Sequence, residues 1–528
     1  MTQLEKSLSQ NVENLSHDIE KWKNKCAELE NQNRYLNEQV NAFRNRIFGR
    51  QSEKTGVIFN ADQINLFDEA EVEAKNGMTE PTLDETKVNA HKRRKKQNGH
   101  QQEILKSLPH EKVVYDVTPE KQICSRCGEQ LAPLGERLIR TQIQFIPAKL
   151  KVIDFYQKTY QCEVCQKNDH FSIEKAIMPK PVLAHSVASA SSIASVIHQK
   201  YELAVPLYRQ EKEWAKMGLA LSRATMANWL IASYRYYLAP LLKCMKQQLL
   251  TEEVLHADET TLQVLNEKDR SNTSNSYMWV YCSGIFQSKH NIRLFEYQPG
   301  RKGEFAKEFL KGFNGYLIHD QYSGYNKVDD VTHCLCGAHL RRYFVEASPR
   351  GDNADPNTLA GQGILKLNQI FAIEAELNEV TATERKTQRL EQEKKLIEAF
   401  FVWAEGNRAS VPSQSKIGKA LDYAIRGKKS YMSYLEDGRI NFTNSIAENA
   451  IRPFAVGRKN WLFSASPKGA SASAAIYSLI ETCKANAIDP YRYFVYILQR
   501  MPNEPFQIRP ELLEDYLPWS QAVQLNCK

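Results

Sequence analysis

Four cysteines fall in two Cys-x-x-Cys pairs, Cys124-Ser125-Arg126-Cys127 and Cys162-Glu163-Val164-Cys165. Two thiolates two residues apart on a tight turn can face one ion. Two such knuckles supply the tetrahedral four-sulfur shell that zinc takes in structural sites. Cys124, Cys127, Cys162 and Cys165 are therefore expected to hold one structural Zn2+ with no catalytic role. A second set of groups is acidic. Asp258 sits in an apolar, β-branched run, Asp320 closes another, and Glu448 lies in a helical stretch. Three carboxylates from three segments can hold two hard divalent cations, and such a pair serves in-line displacement at phosphorus. Each acid taken singly is more often a solvated surface group.

The elements that must position these groups follow from periodicity. Residues 254–265, 278–283 and 292–297 read as three strands of an antiparallel meander, with Asp258 on the first. A helix over 304–311 and a strand over 315–319 follow, and Asp320 ends that strand. Three antiparallel strands, a helix and a further strand are the layout of an RNase H-like core. Residues 446–452 form the helix that carries Glu448. Around the cysteines, 138–144 and 149–160 alternate apolar and polar residues, which predicts the paired strands of a zinc ribbon with a long hairpin. Further on, 208–217 has helical periodicity, Gly218 breaks it, and Ser222 is placed to cap a second helix. Two short helices about a glycine turn suggest a helix-turn-helix, whose second helix would present Arg223, Thr225 and Asn228 to a major groove. An ordinary packed helix pair fits this stretch equally well.

The chain begins with a heptad seam. Val12, Ile19, Cys26, Asn33, Val40 and Ile47 occupy a positions, and Leu8, Leu15, Trp22, Leu29, Leu36 and Phe43 occupy d. β-Branched a residues with mostly leucine at d favour a parallel two-stranded coiled coil, and one polar Asn33 sets its register. The expectation is a homodimer or higher oligomer; an amphipathic helix packed on its own chain is the other reading. From about residue 60 an acidic linker gives way to Lys92-Arg93-Arg94-Lys95-Lys96, a run able to bind phosphate backbone without reading sequence.

Bulk properties bound the answer. With 528 residues the chain is too long for one compact core, and 42% hydrophobic content excludes a wholly disordered chain. The net charge of +8, from 70 basic and 62 acidic residues, favours an anionic partner only weakly. No apolar run reaches the roughly 18 residues needed to span a bilayer, and no apolar signal core opens the chain, so no membrane partner and a cytoplasmic location are expected. Eleven cysteines in so long a chain point to metal binding in a reducing compartment rather than to a disulfide scaffold.

An ordered set of motifs then carries a family resemblance over essentially the whole length. It comprises Phe48-Gly49-Arg50-Gln51-Ser52-Glu53-Lys54, the two cysteine knuckles, Pro206-Leu207-Tyr208-Arg209-Gln210, Ala257-Asp258-Glu259-Thr260, Asp320-Gln321-Tyr322-Ser323-Gly324-Tyr325-Asn326, Cys336-Gly337-Ala338-His339 and Ala447-Glu448-Asn449-Ala450-Ile451-Arg452-Pro453. It continues through Gly457-Arg458-Lys459-Asn460-Trp461 into Tyr477-Ser478-Leu479-Ile480-Glu481-Thr482 and Asp489-Pro490-Tyr491. The chain resembles the transposases of the insertion-sequence-66 family, the TnpC type of bacterial DDE transposase. The resemblance implies a catalytic triad of Asp258, Asp320 and Glu448 holding two Mg2+ or Mn2+ ions, with a largely helical insertion before Glu448. It implies cleavage of the element's ends and attack of the freed 3′ hydroxyls on target DNA, with Arg452, Arg458 and Lys459 placed to hold phosphates. Its partners would be DNA, as terminal inverted repeats and target, and companion proteins from the same element. Where the family usually has Asp-Asn-Asn before the glutamate this chain has Thr443-Asn444-Ser445, and Asn449 replaces a usual arginine.

The resulting division is a coiled-coil helix over 1–50, a charged linker over 51–105, a zinc-ribbon DNA-binding domain over 106–178 and a helical region over 179–250. A catalytic core over 251–465, interrupted at about 350–435, and a C-terminal domain over 466–528 complete it. Two rival functions remain open: a catalytically inert, sequence-specific DNA-binding protein, and a general nuclease of RNase H type. Cys336 and His339 are expected to pack and orient rather than to bind metal, and the Glu448 and Arg452 pair, four apart on a helix, could simply be an ion pair.

Overall fold

The computed structural model describes residues 148–161, 173–286, 288–349 and 354–528, with a few isolated positions before them. The four paired cysteines, the basic run 92–96 and most of the heptad segment lie outside the described residues. Ile19, Trp22 and Cys26 are among the isolated positions, helical and exposed on the expected seam. All elements below belong to one compact unit, Met1–Ile58 with Val152–Lys528.

A short antiparallel hairpin of β1 (Thr159–Gln161) and β2 (Ile173–Lys175) leads into helices α1 (Ala190–Ile197), α2 (Leu207–Lys216), α3 (Arg223–Ser233) and α4 (Ala239–Leu249). The strand expected over 149–160 forms only at its end; 148–158 has no regular structure, and Val152, Ile153, Phe155 and Tyr156 are exposed. Alternation marks a strand only where a partner supplies ladder hydrogen bonds. Among the described residues that partner is three residues long. The helix pair forms as expected. Gly218 takes φ +95° between α2 and α3, a conformation open to glycine, and the Ser222 hydroxyl accepts from the Thr225 N–H at the start of α3. Met226, Trp229, Leu230 and Ser233 bury one face of α3, with Trp214 of α2 against Trp229.

The centre of the unit is a mixed sheet. β3 (Val254–Val264), β4 (Asn275–Ser283) and β5 (Arg293–Gln298) form the antiparallel meander, and after α5 (Gly303–Phe309) come β6 (Tyr316–His319) and β7 (Thr332–Leu335). The order is β5-β4-β3-β6-β7, with β6 parallel to β3 and β7 parallel to β6. The expectations for 254–265, 278–283, 292–297, 304–311 and 315–319 all hold. β7, too short and polar at its start to show alternation, and β8 (Phe463–Ser464), which pairs with the far end of β3, were not anticipated.

After β7, α6 (Gly337–Ala347) is followed by a helical block of α7 (Leu359–Glu376), α8 (Ala382–Gln388), α9 (Lys394–Arg408), α10 (Lys416–Arg426) and α11 (Lys428–Met432). This block has its own apolar core, in which Ile364, Leu367, Phe400 and Leu421 join Ile318, Leu335 and Leu340 from the sheet side. Inside it Glu374 is flanked by Arg385 and Arg389, each at 2.6 Å. The chain returns through α12 (Ser445–Trp461), which packs on β3 and β4, and ends with α13 (Pro467–Ala485), α14 (Pro490–Arg500) and α15 (Gln521–Cys527). α13 closes the open edge of the sheet: the Phe295 N–H donates to Ser478 Oγ at 2.7 Å and the Arg293 N–H to Thr482 Oγ1 at 3.0 Å. An edge strand's unpaired N–H groups are thus satisfied by helix side chains. Among the described residues no helix is long and apolar enough to cross a membrane.

Candidate active site

The acids come together through strand register. β3 pairs with β6 as Val254↔Tyr316, Leu255↔Leu317 and His256↔Ile318, an offset of 62 residues. Asp258 and Asp320 stand at that same offset, two residues beyond the last pair. Directly opposed residues of parallel neighbours point to one face, about 5 Å apart. Asp320 is held where β6 ends, its Oδ1 accepting the Tyr322 N–H at 2.9 Å; Asp258 Oδ1 accepts the Glu259 N–H at 2.9 Å.

Glu448 arrives from the first turn of α12, where the helix dipole favours a negative charge. The turn is anchored by Asn444, which is 1% exposed. Its amide Nδ2 donates to the Ala257 carbonyl at 2.9 Å, its Oδ1 lies 3.0 Å from His256 Nδ1, and its backbone N–H donates to Cys336 Sγ at 3.1 Å. The Cys336 N–H in turn donates to the His319 carbonyl at 3.1 Å. One residue therefore touches β3 beside Asp258 and the start of α6, which is tied to β6 beside Asp320, and it stands four residues before Glu448. Burial pushes the His256 imidazole down to about 4, so it is neutral at neutral pH. Because the Asn444 amide donates to Ala257, its oxygen faces His256, and Nδ1 carries the imidazole proton.

Burial is the largest cause that raises the Asp258 carboxyl well above the usual range, and the charges of Glu259, Glu448 and Asp320 push it the same way. Asp320 and Glu448 thus both lie within electrostatic reach of Asp258. Crowded carboxylates that repel in a water-poor site are what a multivalent cation relieves, and an all-oxygen donor set suits Mg2+ or Mn2+. The residues fit that ion.

Alternation turns the neighbouring Glu259 to the other face, where its side chain is 1% exposed. Arg301 pairs with Glu259 Oε1 at 2.6 Å, lies 3.9 Å over the Tyr322 ring and reaches to 4.0 Å from Asp320 Oδ2. Tyr325 donates to Glu259 Oε2. Arg301 escaped the sequence reading because it lies in a loop with no period. On the other flank His339 Nδ1 is 3.5 Å from Glu448 Oε1 and the Cys336 thiol is 3.8 Å from the same oxygen.

Other expected site residues are more dispersed. No ion pair joins Glu448 and Arg452 among the described residues; Arg452 is half-buried and Lys459 exposed. Arg458 donates to Thr260 Oγ1 at 3.2 Å and Thr261 Oγ1 at 3.0 Å, which fixes α12 to β3. On α3, Arg223 and Asn228 are exposed, whereas Thr225 is half-buried with its hydroxyl 3.0 Å from Ser222 Oγ.

The model of the transposase IS66 family matches residues 185–472, from α1 into α13. The chain belongs to the IS66 transposase family. The IS66 C-terminal element matches 478–519. The zinc-finger binding domain of IS66 transposases matches 121–166, a span that takes in Cys124, Cys127, Cys162 and Cys165. A model described as the transposase C of IS166 homeodomain matches 35–113, which includes the end of the heptad segment and the charged linker. DNA-binding modules therefore precede the IS66 core. Similar proteins include y4hP of Sinorhizobium fredii, 26% identical over 91% of this chain and 87% of its own length, and y4jD of the same organism, 25% identical over 79% and 81%. Both are named as uncharacterized.

Proposed function

We propose that this IS66 member is a DNA transposase that cleaves the ends of an insertion sequence and joins the 3′ hydroxyl ends to target DNA. The reading places the chemistry on an RNase H-like core, supported by the strand order β5-β4-β3-β6-β7 with its antiparallel meander and parallel return. The observation that carries it is the register match of Asp258 and Asp320, with the Glu448 charge acting on the same carboxyl.

Asp258, Asp320 and Glu448 would hold two Mg2+ or Mn2+ ions, which supply activation of the attacking oxygen and stabilisation of the leaving one. The protein's own part is positioning. β3 and β6 fix the two aspartates on rigid, adjacent strands. Asn444 sets where α12 begins and so how far Glu448 reaches. Arg301 pairs with Glu259, the fourth carboxylate whose charge also acts on Asp258, and its exposed edge beside Asp320 is placed to meet a DNA phosphate. Arg452 and Lys459 extend a basic margin along α12 for the transferred or target strand. Arg223 and Asn228 on α3, Lys92 to Lys96, and a zinc ribbon closed by Cys124, Cys127, Cys162 and Cys165 would bind the terminal repeats. The heptad seam would pair two chains so that both ends are held at once, with companion proteins of the element assisting in the bacterial cytoplasm.

The test is end cleavage and strand transfer with the element's own ends. Asp258→Ala, Asp320→Ala and Glu448→Ala should each abolish both reactions while leaving end binding intact. Equal loss of binding, or cleavage that persists, would overturn the assignment.

A further inference from the structure

Cys336, His339 and Glu448 place a sulfur, a ring nitrogen and a carboxylate oxygen within 4.8 Å of one another. We propose that these three residues bind a zinc-like divalent cation at a site that shares Glu448 with the acid cluster.

The geometry is close to a zinc ligand set. Tetrahedral zinc with ordinary bond lengths holds a sulfur and a carboxylate oxygen about 3.6 Å apart and a nitrogen and an oxygen about 3.4 Å apart. The separations here are 3.8 Å from Cys336 Sγ to Glu448 Oε1 and 3.5 Å from His339 Nδ1 to the same oxygen. The donors are held in place independently of any ion. Cys336 is the N-cap of α6 and His339 stands in its first turn, so both face one way. The sulfur accepts the Asn444 N–H at 3.1 Å, which fixes its position, and because burial pushes the thiol up to about 12 it carries a proton that a metal must displace. His339 Nδ1 is buried without a hydrogen-bond partner, as a nitrogen reserved for a ligand would be. Cys336 forms a buried floor while His339 and Glu448 remain partly exposed at the rim, which leaves a way in from solvent.

The donor chemistry selects the ion. Sulfur and imidazole suit zinc or cobalt, whereas Mg2+ demands oxygen ligands in octahedral array. Binding displaces the Cys336 thiol proton to solvent, takes a carboxylate oxygen of Glu448, and takes neutral His339 through Nδ1 with its proton on Nε2. Glu448 cannot serve this ion and complete the acid cluster together, so occupancy inhibits the Mg2+-supported reaction. That consequence rests on the proposed role of Glu448; the site itself does not.

The experiment uses the full chain with its ribbon cysteines loaded with zinc, titrated with Co2+. One further equivalent should bind with a sulfur-to-cobalt charge-transfer band. Cys336→Ser should lose the band, and His339→Ala should weaken binding at least about 10-fold. No band in the wild type, or the same band in Cys336→Ser, overturns the site. In a second arm, zinc added to Mg2+-supported end cleavage should inhibit the wild type, with a midpoint at least about 10-fold higher in His339→Ala relative to that variant's own zinc-free rate. Equal midpoints overturn the sharing of Glu448. A protein that shows the cobalt band but cleaves no DNA under any condition keeps the site and loses the transposase reading.

Discussion

Asn444→Ala probes how the three acids are held. The substitution removes the amide that donates to the Ala257 carbonyl and accepts from His256 Nδ1, while the backbone N–H to Cys336 remains. Two buried polar groups lose their partner, each costing about 1–3 kcal/mol, so the expected destabilisation is about 2–6 kcal/mol. That is a large share of the ~5–15 kcal/mol of a typical domain, yet leaves a folded protein. The start of α12 is then free to shift against β3, and misplacement of a catalytic group by about 1 Å costs on the order of 100-fold in rate. Urea unfolding followed by near-ultraviolet circular dichroism measures the first effect, and end cleavage under saturating Mg2+ measures the second. A variant within about 0.5 kcal/mol of the wild type that cleaves at the wild-type rate would refute the reasoning, since surface substitutions fall in that range.

Four further outcomes follow from the same geometry. Asp258→Asn should raise the unfolding midpoint at neutral pH in metal-free buffer while abolishing cleavage, because the fold raises this carboxyl and its charge works against the folded state; a lower midpoint would contradict the crowding of the acids. Glu393, pushed up to about 8 by burial and the nearby Glu374, loses stability as pH rises from its ordinary range toward 8. Glu393→Gln keeps an acceptor for the Tyr434 hydroxyl and should therefore stabilise the protein more at pH 8 than at pH 5 in thermal melts. Arg389→Met leaves buried Glu374 with Arg385 alone and should cost about 3–5 kcal/mol by denaturant unfolding. Gly337→Ala would bring a methyl to 2.3 Å from the Phe442 ring at the start of α6, with an expected cost of about 1–3 kcal/mol and reduced cleavage.

Much of the sheet was legible because its strands announce themselves. β3, β4, β5 and β6 are largely apolar runs carrying β-branched or aromatic residues and bounded by turn residues, and the Asp258 to Asp320 interval turns out to be the register of β3 on β6. The helix pair was legible for a similar reason, since a glycine at positive φ and a serine cap are local signals. What stayed hidden depends on tertiary partners. β7 has four residues and no alternation, and becomes a strand because β6 offers it a ladder. The stretch 149–158 has the alternation and lacks the ladder. Asn444 stood inside a run read as a departure from the family, yet its contacts join segments 187 and 108 residues away, which no periodicity can encode. Arg301 and the proximity of His339 to Glu448 are of the same kind.

The central claim is that Asp258, Asp320 and Glu448 form one metal-dependent phosphoryl-transfer centre. The most direct measurement is strand transfer of the element's matching ends into target DNA by the full chain, with Mg2+ supplied or withheld, beside Asp258→Ala. Joined products that require Mg2+ and vanish in Asp258→Ala, with end binding retained, are the expected result. Products formed without a divalent cation, or formed equally by Asp258→Ala, would contradict the account.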